Sequence, residues 1–312
     1  MKKLFDFVFY TDKTGRRLFL RCKIFGYEKV FKIGSLVRFH WKEAYISYFN
    51  RFNTEEKIKD LKKGMDGISC EYIDHFMKLV PYWGTFVRNL WTKYDLITDQ
   101  KKKEFEKVFE QPFPKVLTIQ PYLFSNIYGL SDLPVDVFRN INGKIIIDGG
   151  GWNGDTGLVF HRYFPESEIH IYEPISNNIN KIKKILDIDN CNNKLIPIKK
   201  GLSNKICETE ITYGVTELAQ LTTIDNEYKD NDSKIGLIKL DTEGFETLII
   251  EGAIDIIKRD KPVLAIAIYH TPEDFFELKT KLDNLNLGYK FMIRRSEMIL
   301  PQADLVLIGY VK

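Results

Sequence analysis

A chain of 312 residues, 44 % of them hydrophobic, can bury one large core or two smaller ones and is long enough for an enzyme. Its four cysteines (Cys22, Cys70, Cys191, Cys207) show no Cys-x-x-Cys spacing, which argues against a structural zinc site and for reduced thiols in a cytoplasmic protein. Of the formal net charge of +3, residues 1–51 carry +8, leaving −5 for the remainder. No apolar run is long enough to cross a bilayer. The basic start, Lys2-Lys3, is broken by Asp6 with no small-residue cleavage site, so it does not read as a signal peptide.

In chain order, the basic residues 1–51 are expected to be drawn to something anionic, a phospholipid surface or a phosphorylated carrier, with nucleic acid less favoured. A merely solvated basic face is the plainer reading. Arg17–Phe31 alternates in hydropathy between Gly15 and Gly26, which predicts a β-hairpin. Phe31–Phe52 interleaves aromatics (Trp41, Tyr45, Tyr48, Phe49) with basic residues; it reads as the packed face of a helix before it reads as a platform for bases or sugars. Asn53 and Thr54 before Glu55 and Glu56 suit a helix start, and three-to-four spacing continues through Tyr72, Phe76, Phe86, Leu90 and Tyr94. Residues 53–140 are therefore expected to form a helical accessory region and a connector. His75 within it reads as a packed or surface histidine.

From Gly143 strands and helices alternate with short loops, the pattern of a doubly wound α/β domain over residues 141–312. Strands are expected at Lys144–Asp148, Glu168–Glu173, Lys194–Lys199, Lys234–Leu240, Val263–Tyr269, Lys290–Ile293 and Asp304–Val311. Helices are expected at Asp155–Tyr163, Ser176–Leu186, Gly244–Lys258 and Pro272–Leu285. The last two strands have no helix between them, which implies an antiparallel hairpin at the sheet's end.

The first strand of this domain runs into Asp148 and a glycine loop, Gly149, Gly150, Gly151 and Gly154, before Asp155 and Thr156 open a helix. Such a strand, turn and helix make a nucleotide crevice at the carboxyl edge of a sheet. Gly149-x-Gly151-x-x-Gly154 satisfies a dinucleotide fingerprint, with Glu173 near the ribose distance. A carboxylate at the strand end, however, suits a cationic amino group and would repel a pyrophosphate. That favours S-adenosylmethionine over NAD(P).

Together, Asp148-Gly-Gly-Gly-Trp-Asn-Gly-Asp-Thr156, Ile171-Tyr-Glu-Pro174, Gly201-Leu-Ser203, Thr223-Ile-Asp225, Ile238-Lys-Leu-Asp-Thr-Glu-Gly-Phe-Glu246 and Ile268-Tyr-His270 resemble the FkbM family of S-adenosylmethionine-dependent methyltransferases, over about Ile141 to Val311. The family often has Ala-Asn where this chain has Gly151-Trp152. The resemblance implies a class I methyltransferase fold, O-methylation, S-adenosylhomocysteine as product and an acceptor such as a sugar hydroxyl of a surface glycan or its precursor.

On this reading Glu173 and the adjoining Pro174 meet the ribose, and Gly150, Gly154 and Asp155 line the methionine end. Asp148 and Asp241 orient the donor's amino group, and Ser203 walls the adenine. Methyl transfer to a hydroxyl also needs a proton acceptor. His270, at the end of the fifth strand, is the candidate, because an imidazole titrates near neutrality. Asp225, Asp241, Glu243 and Glu246 form an acid cluster that could invite Mg²⁺, but carboxylates at a helix start are stabilised by the helix dipole anyway, so a metal is not favoured. An NAD(P)-dependent oxidoreductase and a non-catalytic scaffold docking an anionic partner are the rival readings.

Overall fold

The computed structural model describes residues 5–11, 17–24, 27–36, 42–79, 86–87, 126–189, 194–213, 215–296 and 304–312. Near the N-terminus, β1 (Phe5–Thr11), β2 (Arg17–Ile24), β3 (Tyr27–Leu36) and β4 (Phe86–Val87) make an antiparallel sheet in that order. The expected hairpin is present, with an extra strand on each side. Phe86 lies in β4 and not in a helix; His40, Trp41, Leu90 and Tyr94 lie outside the described residues.

Three helices follow: α1 (Lys42–Arg51), α2 (Thr54–Lys62) and α3 (Gly67–Leu79). Tyr45 and Tyr48 of α1 are fully buried, so these aromatics are core and not a platform for ligands. The expected connector contains a 3₁₀ turn (Leu130–Asp132) and a short helix, α4 (Val135–Arg139).

Seven strands form the central sheet: β5 (Ile145–Gly149), β6 (Ile169–Tyr172), β7 (Leu195–Ile198), β11 (Ile235–Leu240), β12 (Val263–Ala267), β13 (Lys290–Arg295) and β14 (Leu305–Tyr310). Their spatial order is β13-β14-β12-β11-β5-β6-β7, with β14 running antiparallel to the other six. This is the expected class I methyltransferase sheet, mostly parallel and closed by a C-terminal hairpin. The chain runs outward from β5 to β7, then returns to place β11 on the other side of β5. The order reverses there, which opens a crevice at the carboxyl ends of β5 and β11.

Every residue of β5, β11 and β12 is buried, as expected for strands covered on both faces. Successive side chains point to opposite faces. Ile145 and Ile147 join one apolar cluster with α1–α3 and Phe275 and Phe276. Ile146 joins the other, against Leu158, Phe160, Ile179 and Ile182. These last four belong to α5 (Asp155–Tyr163) and α6 (Ser176–Asp189). Phe275 and Phe276 belong to α10 (Pro272–Asp283), where Phe76 of α3 stacks on Phe275 at 4.5 Å. The N-terminal helices thus share a core with the sheet.

Two features depart from expectation. The predicted helix Gly244–Lys258 is two helices, α8 (Glu246–Glu251) and α9 (Ile254–Asp260). The break falls at Gly252, where a Cβ would lie 2.3 Å from the Ser203 carbonyl oxygen, so close packing against another segment ends the helix. Between β7 and β11, where no strand was expected, the small sheet β8 (Gly201–Leu202), β10 (Val215–Thr222) and β9 (Cys207–Tyr213) precedes α7 (Ile224–Tyr228). Among the described residues no helix is long and apolar enough to cross a membrane.

Arg294 at the end of β13 ties these parts together. Its guanidinium is paired with Asp66, just before α3, at 2.7 Å, and with Asp132 of the 3₁₀ turn. Burial acts to raise the Asp66 pKa, but hydrogen bonds from Arg294 and Ser69 outweigh it and hold the carboxyl down at about 2. A depressed carboxylate pKa contributes stability above the unfolded value, about 3.9, and loses it as pH falls through the folded value. Asp66→Asn is therefore expected to lower stability by about 1 kcal/mol near pH 7, since Asp66 is partly exposed. The difference from wild type in urea midpoint should hold down to about pH 5 and shrink between about pH 4 and 2. A difference independent of pH would remove the ion pair from the account.

Candidate active site

Lys239 is the buried penultimate residue of β11. It interrupts the apolar run of β11 and stands in register with Asp148 of β5. Both side chains are almost wholly buried, and Nζ lies 2.9 Å from Asp148 Oδ1. The same ammonium donates to the carbonyls of Gly150 (3.0 Å) and Gly149 (3.3 Å), and it faces the Tyr128 ring at 5.3 Å. Burial acts to lower the Lys239 pKa, but Asp148 and Asp241 outweigh it and keep the ammonium charged. Asp148 therefore does not stand open for a ligand's amino group, as expected from its strand-end position. It meets an internal cation that clamps the glycine loop.

The loop itself needs its glycines. Gly150 has φ +77°, and a Cβ there would sit 1.9 Å from the Asp241 carbonyl oxygen. Gly154, at φ +86°, caps the start of α5. Asp155 opens that helix, and desolvation, partly opposed by Lys239, pushes its carboxyl up to about 6. Glu173 follows β6 and is nearly buried. Its carboxylate accepts the backbone N–H of Trp152 (2.9 Å) and that of Ile175 (2.8 Å), so it is oriented toward the same loop. Pro174, beside it, is half-buried over Gly201.

The second half of the site surrounds Asp241, at the end of β11. Tyr128 donates its hydroxyl to Oδ2 at 2.9 Å, and Tyr269 donates to Oδ1 at 3.3 Å. His270 is buried, with Nε2 3.4 Å from Asp241 and 3.7 Å from Glu243, and Nδ1 2.8 Å from Glu246. Glu246, wholly buried at the start of α8, is aimed by the N–H groups of Thr242 (2.6 Å) and Gly244 (2.9 Å). Burial alone would lower the His270 pKa, but Glu246 above all, then Asp241 and Glu243, raise it to about 9. The sequence-based expectation of an imidazole titrating near neutrality is corrected here: the ring is an imidazolium at pH 7.

Asp241, Glu246 and His270 each offer an atom within 4.8 Å of the others, the spacing of a metal-binding trio. The atoms do not converge on one point, because Glu246 meets Nδ1 while Asp241 meets Nε2 across the ring. The trio fits a hydrogen-bonded ion cluster better than a coordination sphere.

Other expected members are placed elsewhere. Asp225 accepts the N–H groups of Asp255 and Ile256 and caps α9, so it is not part of the acid cluster. Ser203 is buried between β8 and Gly252, its N–H donating to Thr222. Lys239 figured in the sequence reading only as part of the Ile238–Glu246 motif, with no role of its own, and Tyr128 did not figure in it. A lone lysine inside an apolar strand run was a signal for the first; nothing in its loop marked the second.

A group whose pKa is raised on folding contributes stability below its unfolded value and loses it as pH rises through the folded one. The stability difference between wild type and His270→Gln is therefore expected to be constant below about pH 6.5 and to decay between there and about pH 9. Thermal unfolding across pH 6–10 measures it; a flat difference would mean the ring is neutral in the fold.

The Methyltransferase FkbM domain matches residues 136–291, half of the chain. No curated protein matches in sequence. The structure of a methyltransferase FkbM from Methylobacillus flagellatus KT aligns with a TM-score of 0.58 at 17 % identity, over 86 % of this chain and 60 % of that one. This chain thus spans about three fifths of the length of that protein. An O-methyltransferase from Bacillus cereus in complex with SAH gives a TM-score of 0.43 at 11 % identity, over 71 % of this chain and 98 % of that one. A putative rRNA-methylase from Clostridium thermocellum gives 0.42 at 15 %, over 63 % and 99 %. With half its length matched and the sheet order described above, this chain belongs to the FkbM methyltransferase domain family.

Proposed function

We propose that this protein is an S-adenosylmethionine-dependent O-methyltransferase whose acceptor is a sugar hydroxyl of a surface glycan or its precursor. The observation that carries the donor assignment is the charge of the crevice. Asp148, Asp155 and Asp241 act on one buried ammonium, Lys239, leaving a surplus of negative potential beside the glycine loop. That surplus suits the sulfonium and amino groups of S-adenosylmethionine and opposes the pyrophosphate of NAD(P). With Asp148 held by Lys239, Asp241 is the acid that takes the donor's amino group. Glu173 keeps a lone pair for the ribose hydroxyls beyond those used by Trp152, Ile175 and the Asn178 side chain. The sugar acceptor rests on the family resemblance.

In the transfer the acceptor oxygen attacks the methyl carbon in line, and the carbon–sulfur bond breaks with its electron pair on sulfur. The hydroxyl proton goes to His270 in the fraction of molecules where the ring is neutral. With its pKa near 9, turnover should rise about tenfold per pH unit up to about pH 9 and level there. Before then the imidazolium, held by Glu246, orients the acceptor.

Calorimetry with S-adenosylmethionine, S-adenosylhomocysteine and NAD tests the donor. The first two are expected to bind and NAD not to. Gly150→Ala, which drives a Cβ into the Asp241 carbonyl, is expected to weaken S-adenosylhomocysteine at least 100-fold, about 2.7 kcal/mol, a loss of the size set by backbone strain and steric overlap. Binding of NAD in place of the sulfonium compounds would overturn the assignment in favour of an oxidoreductase.

A further inference from the structure

The family match begins at residue 136, yet a group from before it enters the crevice. Residues 126–132 form a strap pinned from outside. Asn126 donates to the Arg295 carbonyl, Ser131 donates to Asn126 at 3.0 Å, and Asp132 takes the Arg294 guanidinium, which also grips Asp66 ahead of α3. Within the strap Ile127 (φ +51°), Tyr128 (φ +55°) and Gly129 (φ +87°) are consecutive left-handed residues. Two of the three carry Cβ atoms, a conformation that persists only where its surroundings enforce it. Its result is to turn the Tyr128 side chain inward, almost completely buried, with its ring over Lys239 and its hydroxyl on Asp241.

We infer that Tyr128 is a positioning residue of the donor site: it fixes the Asp241 carboxylate to receive the amino group of the methionine moiety, and the strap's Arg294 lock holds it there. This rests on the donor reading proposed above. The alternative, that Tyr128 merely fills space, predicts a different pattern of losses. A phenyl ring fills almost the same volume and keeps its face to Lys239, so Tyr128→Phe removes one hydrogen bond to a charged group and little else. The second oxygen of Asp241 keeps its partners Tyr269 and His270, so the carboxylate stays in place but is free to turn.

The experiment is calorimetric titration of wild type, Tyr128→Phe, Asp241→Asn and the double variant with two probes. S-adenosylhomocysteine carries the amino-acid end; 5′-methylthioadenosine has the same nucleoside and sulfur without it. Tyr128→Phe is expected to weaken S-adenosylhomocysteine roughly tenfold or more and methylthioadenosine by less than twofold. In the Asp241→Asn background the same change is expected to cost less than twofold with either probe, since the two residues act as one unit. Should Tyr128→Phe fail to fold, Asp132→Asn, which loosens the strap from outside the crevice, is expected to show the same selective loss at smaller size.

Equal loss for both probes, additive losses in the double variant, or no loss beyond twofold would each overturn the positioning role while leaving the donor assignment intact. Wild-type protein that ignores both probes would overturn the donor assignment and this inference with it.

Discussion

The site depends on one buried ion pair between neighbouring strands. Lys239 and Asp148 face each other across β5 and β11, where the sheet changes direction. A lone charge at either position would be costly in so dry a place, and removing one partner of such a pair typically costs about 3–5 kcal/mol. The pair joins the two strands whose ends form the crevice, and the ammonium's spare donors reach the Gly149 and Gly150 carbonyls. A single side chain thereby sets strand pairing, loop shape and local potential together.

Around that centre, the charged groups fall into two linked sets. The first comprises Lys239, Asp148 and Asp155 under the glycine loop. The second comprises His270, Glu246 and Glu243, beyond the ends of β11 and β12. Asp241 belongs to both, because its own carboxylate meets Tyr128, Tyr269 and His270 while its backbone touches Gly150. On the function proposed above, Asp241 is the residue at which the donor and acceptor sides would adjoin.

Much of the fold was legible because burial leaves a plain mark. Ile145–Ile147 has no alternation, as a strand covered on both faces should, and the helix expected from Pro272 is α10, with proline in its first turn. The hairpin of β9 and β10 was not legible because Thr and Glu fall among its apolar residues without a clean alternation. The break at Gly252 came from Ser203, a neighbour remote in sequence, and local propensity carries no record of such a neighbour. For the site, the sequence named Asp241, Glu246 and His270, but it could not show that Asp148 faces Lys239. That pairing depends on strand order and register, which are tertiary facts. The imidazole expected to titrate near neutrality gave way for the same reason: the fold brings His270 against three carboxylates of the Asp241–Glu246 connection, remote from it in sequence.

Trp152 sits in the glycine loop at φ +42°, half exposed, with its backbone N–H on Glu173. The chain has three other tryptophans, Trp41, Trp83 and Trp91, all in its first hundred residues. Replacing those three with phenylalanine would leave a single indole on the nucleotide loop. Its emission would then report solvent access at the rim of the crevice, giving the protein a built-in optical gauge of occupancy that needs no added label.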